Sequence, residues 1–76
     1  MINYKILQIV NTVLSNNDLP LIETLDEGHD LRNDLLMDSI NLAELTVRIE
    51  DEFGIDVFED GMISTIGELM AKINKV

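Results

Sequence analysis

The chain has 76 residues, 46% of them apolar, no cysteine and a formal net charge of −10. That length suits one domain over residues 1–76, with a thin core that buries roughly 60% of the unfolded chain's surface, and without cysteine neither a disulfide framework nor a thiolate metal site is possible. The charge argues against nucleic acid and anionic membranes, whose phosphates would repel it, and favours partners with basic patches.

Met1 leads into a mixed polar and apolar segment with no basic leader, and no run approaches the roughly 20 apolar residues that span a bilayer. The expected location is the cytoplasm, without membrane insertion. Residues 2–15 read as a first helix. Ile2, Ile6, Ile9, Val10 and Val13 share one side, flanked by Leu7 and Leu14. Asn16-Asn17-Asp18 supplies turn chemistry, and Pro20 forbids simple continuation. Residues 16–38 then form a long connection with six large aliphatics, Leu19, Leu21, Ile22, Leu25, Leu31 and Leu35. Such a segment is expected to lie against the helices, with a short helical turn around Ile22–Leu25 and an exposed tip at Glu27-Gly28-His29-Asp30. A connection this long in so small a domain points to a functional loop.

Residues 39–53 read as a second helix, with Leu42, Leu45, Thr46, Ile49 and Phe53 on one face and Gly54 as its stop. Ile55 to Val57 looks extended, and Phe58 to Met62 has room for one irregular helical turn. The last helix starts near Thr65, where Thr65-Ile66-Gly67-Glu68 matches a capping box. Ile66, Leu69, Met70 and Ile73 give its apolar face, and Lys72 and Lys75 suit its C-terminal dipole.

No catalytic constellation is present. His29 is the single histidine and reads as a solvated loop residue, and no nucleophile elbow occurs. Asp56 to Gly61 lacks the order of a calcium loop, so no metal site is expected. Glu50-Asp51-Glu52 reads as a solvated helix face. Interest falls on Ser39, where the acidic loop gives way to the second helix in Asp34-Leu35-Leu36-Met37-Asp38-Ser39-Ile40. Taken alone, a serine there is most simply a helix cap, although Asp38 can fill that role. The second helix carries more than packing needs. Ile40, Ala43 and Val47 form a second apolar strip away from the core face, rimmed by Glu44, Glu50 and Asp51, and Met37 is expected to extend it past the serine. An apolar strip with a charged rim is the anatomy of a docking surface.

These residues resemble the acyl carrier proteins and their aminoacyl and peptidyl carrier relatives over essentially the whole chain. The likeness is sharpest in Asp34 to Ile40, continued by Leu42-x-x-Leu45, by Glu50-Asp51-Glu52-Phe53-Gly54-Ile55 and by Thr65-Ile66-Gly67-Glu68-Leu69. The resemblance implies an all-α, four-helix bundle: three main helices, one short helix and a long first loop. It implies that Ser39 is esterified by the 4′-phosphopantetheine of coenzyme A, in a reaction run by a separate phosphopantetheinyl transferase. The thiol of that arm then carries an acyl thioester to partner enzymes of fatty-acid, polyketide or related biosynthesis. Asp38 matches an aspartate associated with transferase recognition. Ile40, Glu44, Val47, Glu50 and Asp51 fall where the family's second helix meets its partners, which include acyl- or aminoacyl-loading ligases and downstream synthases or transferases. The protein itself is expected to be a monomeric carrier, not an enzyme. A phosphodiester on Ser39 would sit at a helix N-terminus, where amides and dipole favour an anion.

Two departures from the family pattern stand out. Leu36 occupies a position where many members have glycine. The segment from Phe53 to the last helix is shorter than in housekeeping fatty-acid carriers and is closer to that of aminoacyl carriers. The readings to separate are an acyl carrier, an aminoacyl or peptidyl carrier, and an acidic helical adaptor with Ser39 only a cap. Arg48, on an otherwise acidic helix, is a candidate for adjusting partner choice.

Overall fold

A computed structural model describes residues 2–57 and 63–74. The expected turn between Phe58 and Met62, Lys75 and the side chain of Ile2 lie outside the described residues. Those residues hold three helices and no strand: α1 (Ile2–Asn16), α2 (Ser39–Phe53) and α3 (Ile66–Asn74). The architecture is all-α, as the periodicities predict.

Helices α1 and α2 end for local reasons. After α1 the backbone turns left-handed at Asp18 (φ 57°). Asp18 N–H then donates to Ser15 O at 3.2 Å and Leu19 N–H to Leu14 O at 2.9 Å, so the last carbonyls of the helix are satisfied. Helix α2 ends at Gly54, also left-handed at φ 71°, whose N–H donates to Glu50 O at 2.7 Å.

Ile6, Val10, Val13 and Leu14 of α1 pack with Leu42, Leu45 and Ile49 of α2 and Ile66, Leu69 and Ile73 of α3 in one core. Helices α1 and α2 run antiparallel. Lys5 near the start of α1 pairs with Glu52 near the end of α2 at 2.9 Å, and Asn16 at the end of α1 reaches Glu44 in α2. The exposed Lys5–Glu52 pair adds little stability, so burial is what holds the helices together.

The long connection belongs to this core. Leu31, Leu35 and Met37 are buried in it, and Leu19, Ile22 and Leu25 are half-buried against it. Of the six aliphatics expected there, Leu21 is the exception and stays exposed. No helical turn forms around Ile22–Leu25. Instead the Asn11 carboxamide takes both of Ile22's backbone groups, accepting from its N–H and donating to its C=O, each at 2.9 Å. Those groups are then unavailable to a helical ladder.

The loop is also tied to α3. Ile66 N–H donates to His29 O and Gly67 N–H to Glu27 O, both at 3.0 Å, and Leu31 N–H donates to Ser64 O at 2.8 Å. Two of α3's orphan N-terminal amides are therefore met by loop carbonyls. A third, Glu68 N–H, finds Thr65 Oγ1 at 3.1 Å. The expected capping box forms with a shift: the Glu68 carboxylate accepts from Ser64 N–H at 3.3 Å. Gly67 suits this docking, because a Cβ there would lie 3.0 Å from Glu27 O, closer than most side chains sit. His29 is not a free loop residue either. It is half-buried, its carbonyl serves α3, and its Nε2 lies 3.8 Å from Asp26 Oδ2.

Candidate functional site

The site is built where the buried loop meets α2. Residues 30–35 make a tight turn organised by Asp30. Asp30 Oδ1 accepts from Arg32 N–H and Asn33 N–H, both at 2.8 Å. Its carbonyl accepts from Asp34 N–H at 2.9 Å and Leu35 N–H at 3.1 Å. Its own N–H donates to Asp34 Oδ2 at 2.7 Å. The chain then runs to Asp38, the extended N-cap of α2 (φ −99°, ψ −173°).

Burial alternates along this approach. Leu35 and Met37 point into the core, and Leu36 and Asp38 point out. Met37 is therefore not part of an exposed strip. It is 2% exposed, and its N–H donates to Leu31 O at 3.0 Å. The helical spacing that groups Ile40, Ala43 and Val47 does not continue through the cap.

Leu36 is 54% exposed with φ 67°, the left-handed region that costs a side-chain-bearing residue roughly 1–2 kcal/mol. The position asks for glycine, and the chain supplies leucine. Leu36→Gly is expected to raise stability by about 0.5–1 kcal/mol, the relieved strain less the roughly 0.5–1 kcal/mol of extra chain entropy that glycine loses on folding. Urea denaturation checks this, and a lower midpoint would mean that the leucine side chain contributes more than its backbone costs.

Asp38 and Asn41 form a reciprocal capping box. Asn41 N–H donates to Asp38 Oδ1 at 2.9 Å, and Asp38 N–H donates to Asn41 Oδ1 at 3.0 Å. Asn41 is buried, the one polar side chain in the core among the described residues. Ser39 is thereby relieved of capping. It is the first residue of α2, exposed, with its hydroxyl not bonded back to the helix carbonyls as those of Thr12 and Thr46 are. Arg32 Nη2 donates to Ser39 Oγ at 3.4 Å.

Beyond Ser39, Ile40 is 76% and Val47 67% exposed. With Ala43, Glu44, Arg48 and Asp51 they line one open groove along α2. The expected strip and most of its acidic rim thus come together. Glu50 is exposed but does not line the groove, and Met37 lies beneath. Glu44 has structural duties. Its carboxylate accepts from Asn16 Nδ2 (3.1 Å), Asn17 Nδ2 (3.2 Å) and Arg48 Nε (3.1 Å). The hydrogen bonds from Asn16 and Asn17, with that from Arg48, hold it below the ordinary glutamate range. Glu44 stays charged at the groove's edge while joining the C-terminal end of α1 to α2.

Arg32 and Asn41 were not singled out by their sequence positions. Arg32 did leave a signal, as the one Lys or Arg between Lys5 and Arg48. Among the described residues no group of His, Asp and Glu is arranged to hold a metal ion, and no helix is long and apolar enough to cross a membrane.

Residues 5–73 match the family model described as phosphopantetheine attachment site. The chain is 44% identical over 50 residues to an acyl carrier protein of Saccharopolyspora erythraea, covering 63% of this chain and 53% of that protein. It is 36% identical over 53 residues to an acyl carrier protein of Lactobacillus acidophilus, covering 67% of this chain and 66% of that protein. The chain thus spans about half to two thirds of the relatives it matches. No solved structure gives a significant match. The residues fit such a prosthetic group, since Ser39 offers an exposed hydroxyl with a guanidinium beside it and apolar groove beyond it. A match over nearly the whole chain, on an all-α scaffold with that loop-to-helix junction, places this chain in the phosphopantetheine-attachment family, that of the acyl carrier proteins.

Proposed function

We propose that this chain is an acyl carrier with Ser39 as its attachment residue. The observation that supports it best is the division of labour at α2's start. Asp38 and Asn41 take the cap, so the exposed Ser39 hydroxyl is left for chemistry. In the transferase reaction Ser39 Oγ loses its proton and bonds to the phosphorus next to the pantetheine of coenzyme A. The P–O bond within the pyrophosphate breaks, and adenosine 3′,5′-bisphosphate leaves with the electron pair. When bound, the arm supplies a terminal thiol that carries an acyl group as a thioester.

The chain's own residues present that arm. Asp38 holds the serine at the helix start and is the aspartate for transferase recognition. Ile40, Ala43 and Val47 supply the apolar contact for partners. Glu44, Glu50 and Asp51 supply an acidic border for basic patches on the transferase, on a loading ligase and on downstream synthases or transferases. Docking of this kind is brief and charge-steered, because a carrier must leave one active site for the next. A monomeric carrier in the cytoplasm, catalysing nothing itself, is the form that follows. The names of the two relatives support acyl over aminoacyl cargo.

The test is incubation with coenzyme A, magnesium and a promiscuous phosphopantetheinyl transferase, followed by intact mass. The wild type is expected to gain one phosphopantetheine and Ser39→Ala none. An unmodified wild type, or an adduct on Ser39→Ala, overturns the reading and favours an acidic adaptor with Ser39 at a helix start.

A further inference from the structure

We infer that Arg32 is a phosphate clamp, pairing its guanidinium with the phosphodiester that links Ser39 to the arm. The inference rests on Ser39 being the attachment residue.

The chain has 15 acidic and 5 basic residues, so an arginine near carboxylates is expected to find one. Arg32 sits among Asp30, Asp34 and Asp38 in sequence, yet it ion-pairs with no carboxylate among the described residues. Each of those aspartates spends an oxygen on backbone amides instead. Asp30 bonds Arg32 and Asn33, Asp34 bonds Asp30, and Asp38 bonds Asn41. The guanidinium turns to the neutral hydroxyl of Ser39 at 3.4 Å. That is a long contact to a weak acceptor, for a group with five donors and a fixed positive charge.

The turn fixes the backbone that carries the side chain. Arg32's own N–H is held by Asp30 Oδ1 at 2.8 Å, and its neighbour Leu31 is fully buried. Arg32 is thus projected from a fixed backbone toward Ser39. A phosphodiester on Oγ carries one negative charge shared over two non-bridging oxygens, a match for the planar guanidinium fork. It would also add an anion to a chain already at −10, and Arg32 is the cation in place to offset it. Lysine, a point charge, would hold the same phosphate with less directional preference.

The experiment compares the wild type with Arg32→Gln and Arg32→Lys, each prepared in apo form and modified by the transferase. Intact mass first establishes that all three carry the adduct. If the wild type carries none, Ser39's assignment fails before Arg32 is tested. On the modified proteins, the ³¹P resonance and the Arg32 side-chain Nε–H resonance are recorded at low and high salt. The clamp requires the wild-type Nε–H to shift between apo and modified forms. It also requires Arg32→Gln to displace the ³¹P resonance, Arg32→Lys to restore it in part, and salt to move the wild type toward Arg32→Gln, since exposed charge pairs are screened. An unshifted Nε–H together with one ³¹P position in wild type and Arg32→Gln overturns the proposal. Amide spectra away from residues 30–40 are the folding control, and Arg32 is exposed enough for both variants to keep the fold.

Discussion

Leu31→Ala is expected to destabilise the protein by about 2–5 kcal/mol, although the residue lies in no helix. Leu31 is fully buried, and its backbone joins two distant parts of the chain. Its N–H reaches Ser64 O at 2.8 Å, and its C=O accepts from Met37 N–H at 3.0 Å. Truncation leaves a cavity between α3's N-terminus and the approach to Ser39, where those two bonds resist collapse. A domain of this size has a total stability of about 4–11 kcal/mol, so the loss consumes a large part of it. The melting temperature followed by circular dichroism should fall by roughly 10 °C or more. A melt within a few degrees of wild type would show that the loop lies on the core without belonging to it.

Val47→Asp is expected to do the opposite, sparing the fold and damaging traffic. Val47 is 67% exposed on α2, and valine and aspartate have similar helix propensities, so stability should change by no more than about 0.5 kcal/mol. If partners dock as proposed, the apolar groove is covered, and a covered valine side chain contributes about 1.5–3 kcal/mol. Losing even the lower figure lowers kcat/KM of the transferase by about tenfold. The added carboxylate improves long-range attraction to a basic partner, but it must be desolvated in the apolar centre of the contact. Unchanged transferase kinetics on a folded Val47→Asp protein would remove the groove from the docking surface. Glu44→Lys is a poorer probe, because it also breaks the contacts to Asn16, Asn17 and Arg48.

The helices were legible because their signals are local. The 3.6-residue apolar period, Gly54 as a stop and the Thr65 to Glu68 cap place α1, α2 and α3 to within a residue or so. Ser39 at a helix start and the second strip on α2 are read from the same periodicity. What was not legible depends on partners far along the chain. Asn11 looks like a solvent-facing helix residue until Ile22 folds back onto it. Asn41 at the third helical position is not the usual glutamate or glutamine of a capping box, so its pairing with Asp38 is visible only in three dimensions. Met37 was misplaced because it stands three residues before Ile40, a helical spacing, while it lies before the Asp38 cap, outside α2, and is buried. Arg32 approaches Ser39 only through the turn that Asp30 organises. The positive φ of Leu36 likewise leaves no mark in the sequence, since the residue there is leucine.

The bonds from Glu27, His29 and Leu31 to Ser64, Ile66 and Gly67 carry a consequence for biogenesis. They join segments separated by more than thirty residues, so this part of the loop's anchoring forms only after α3 has been made. A nascent chain that has emerged through α2 already contains the serine and its cap, but lacks these three bonds. The loop before Ser39 is therefore fully held only once α3 is in place.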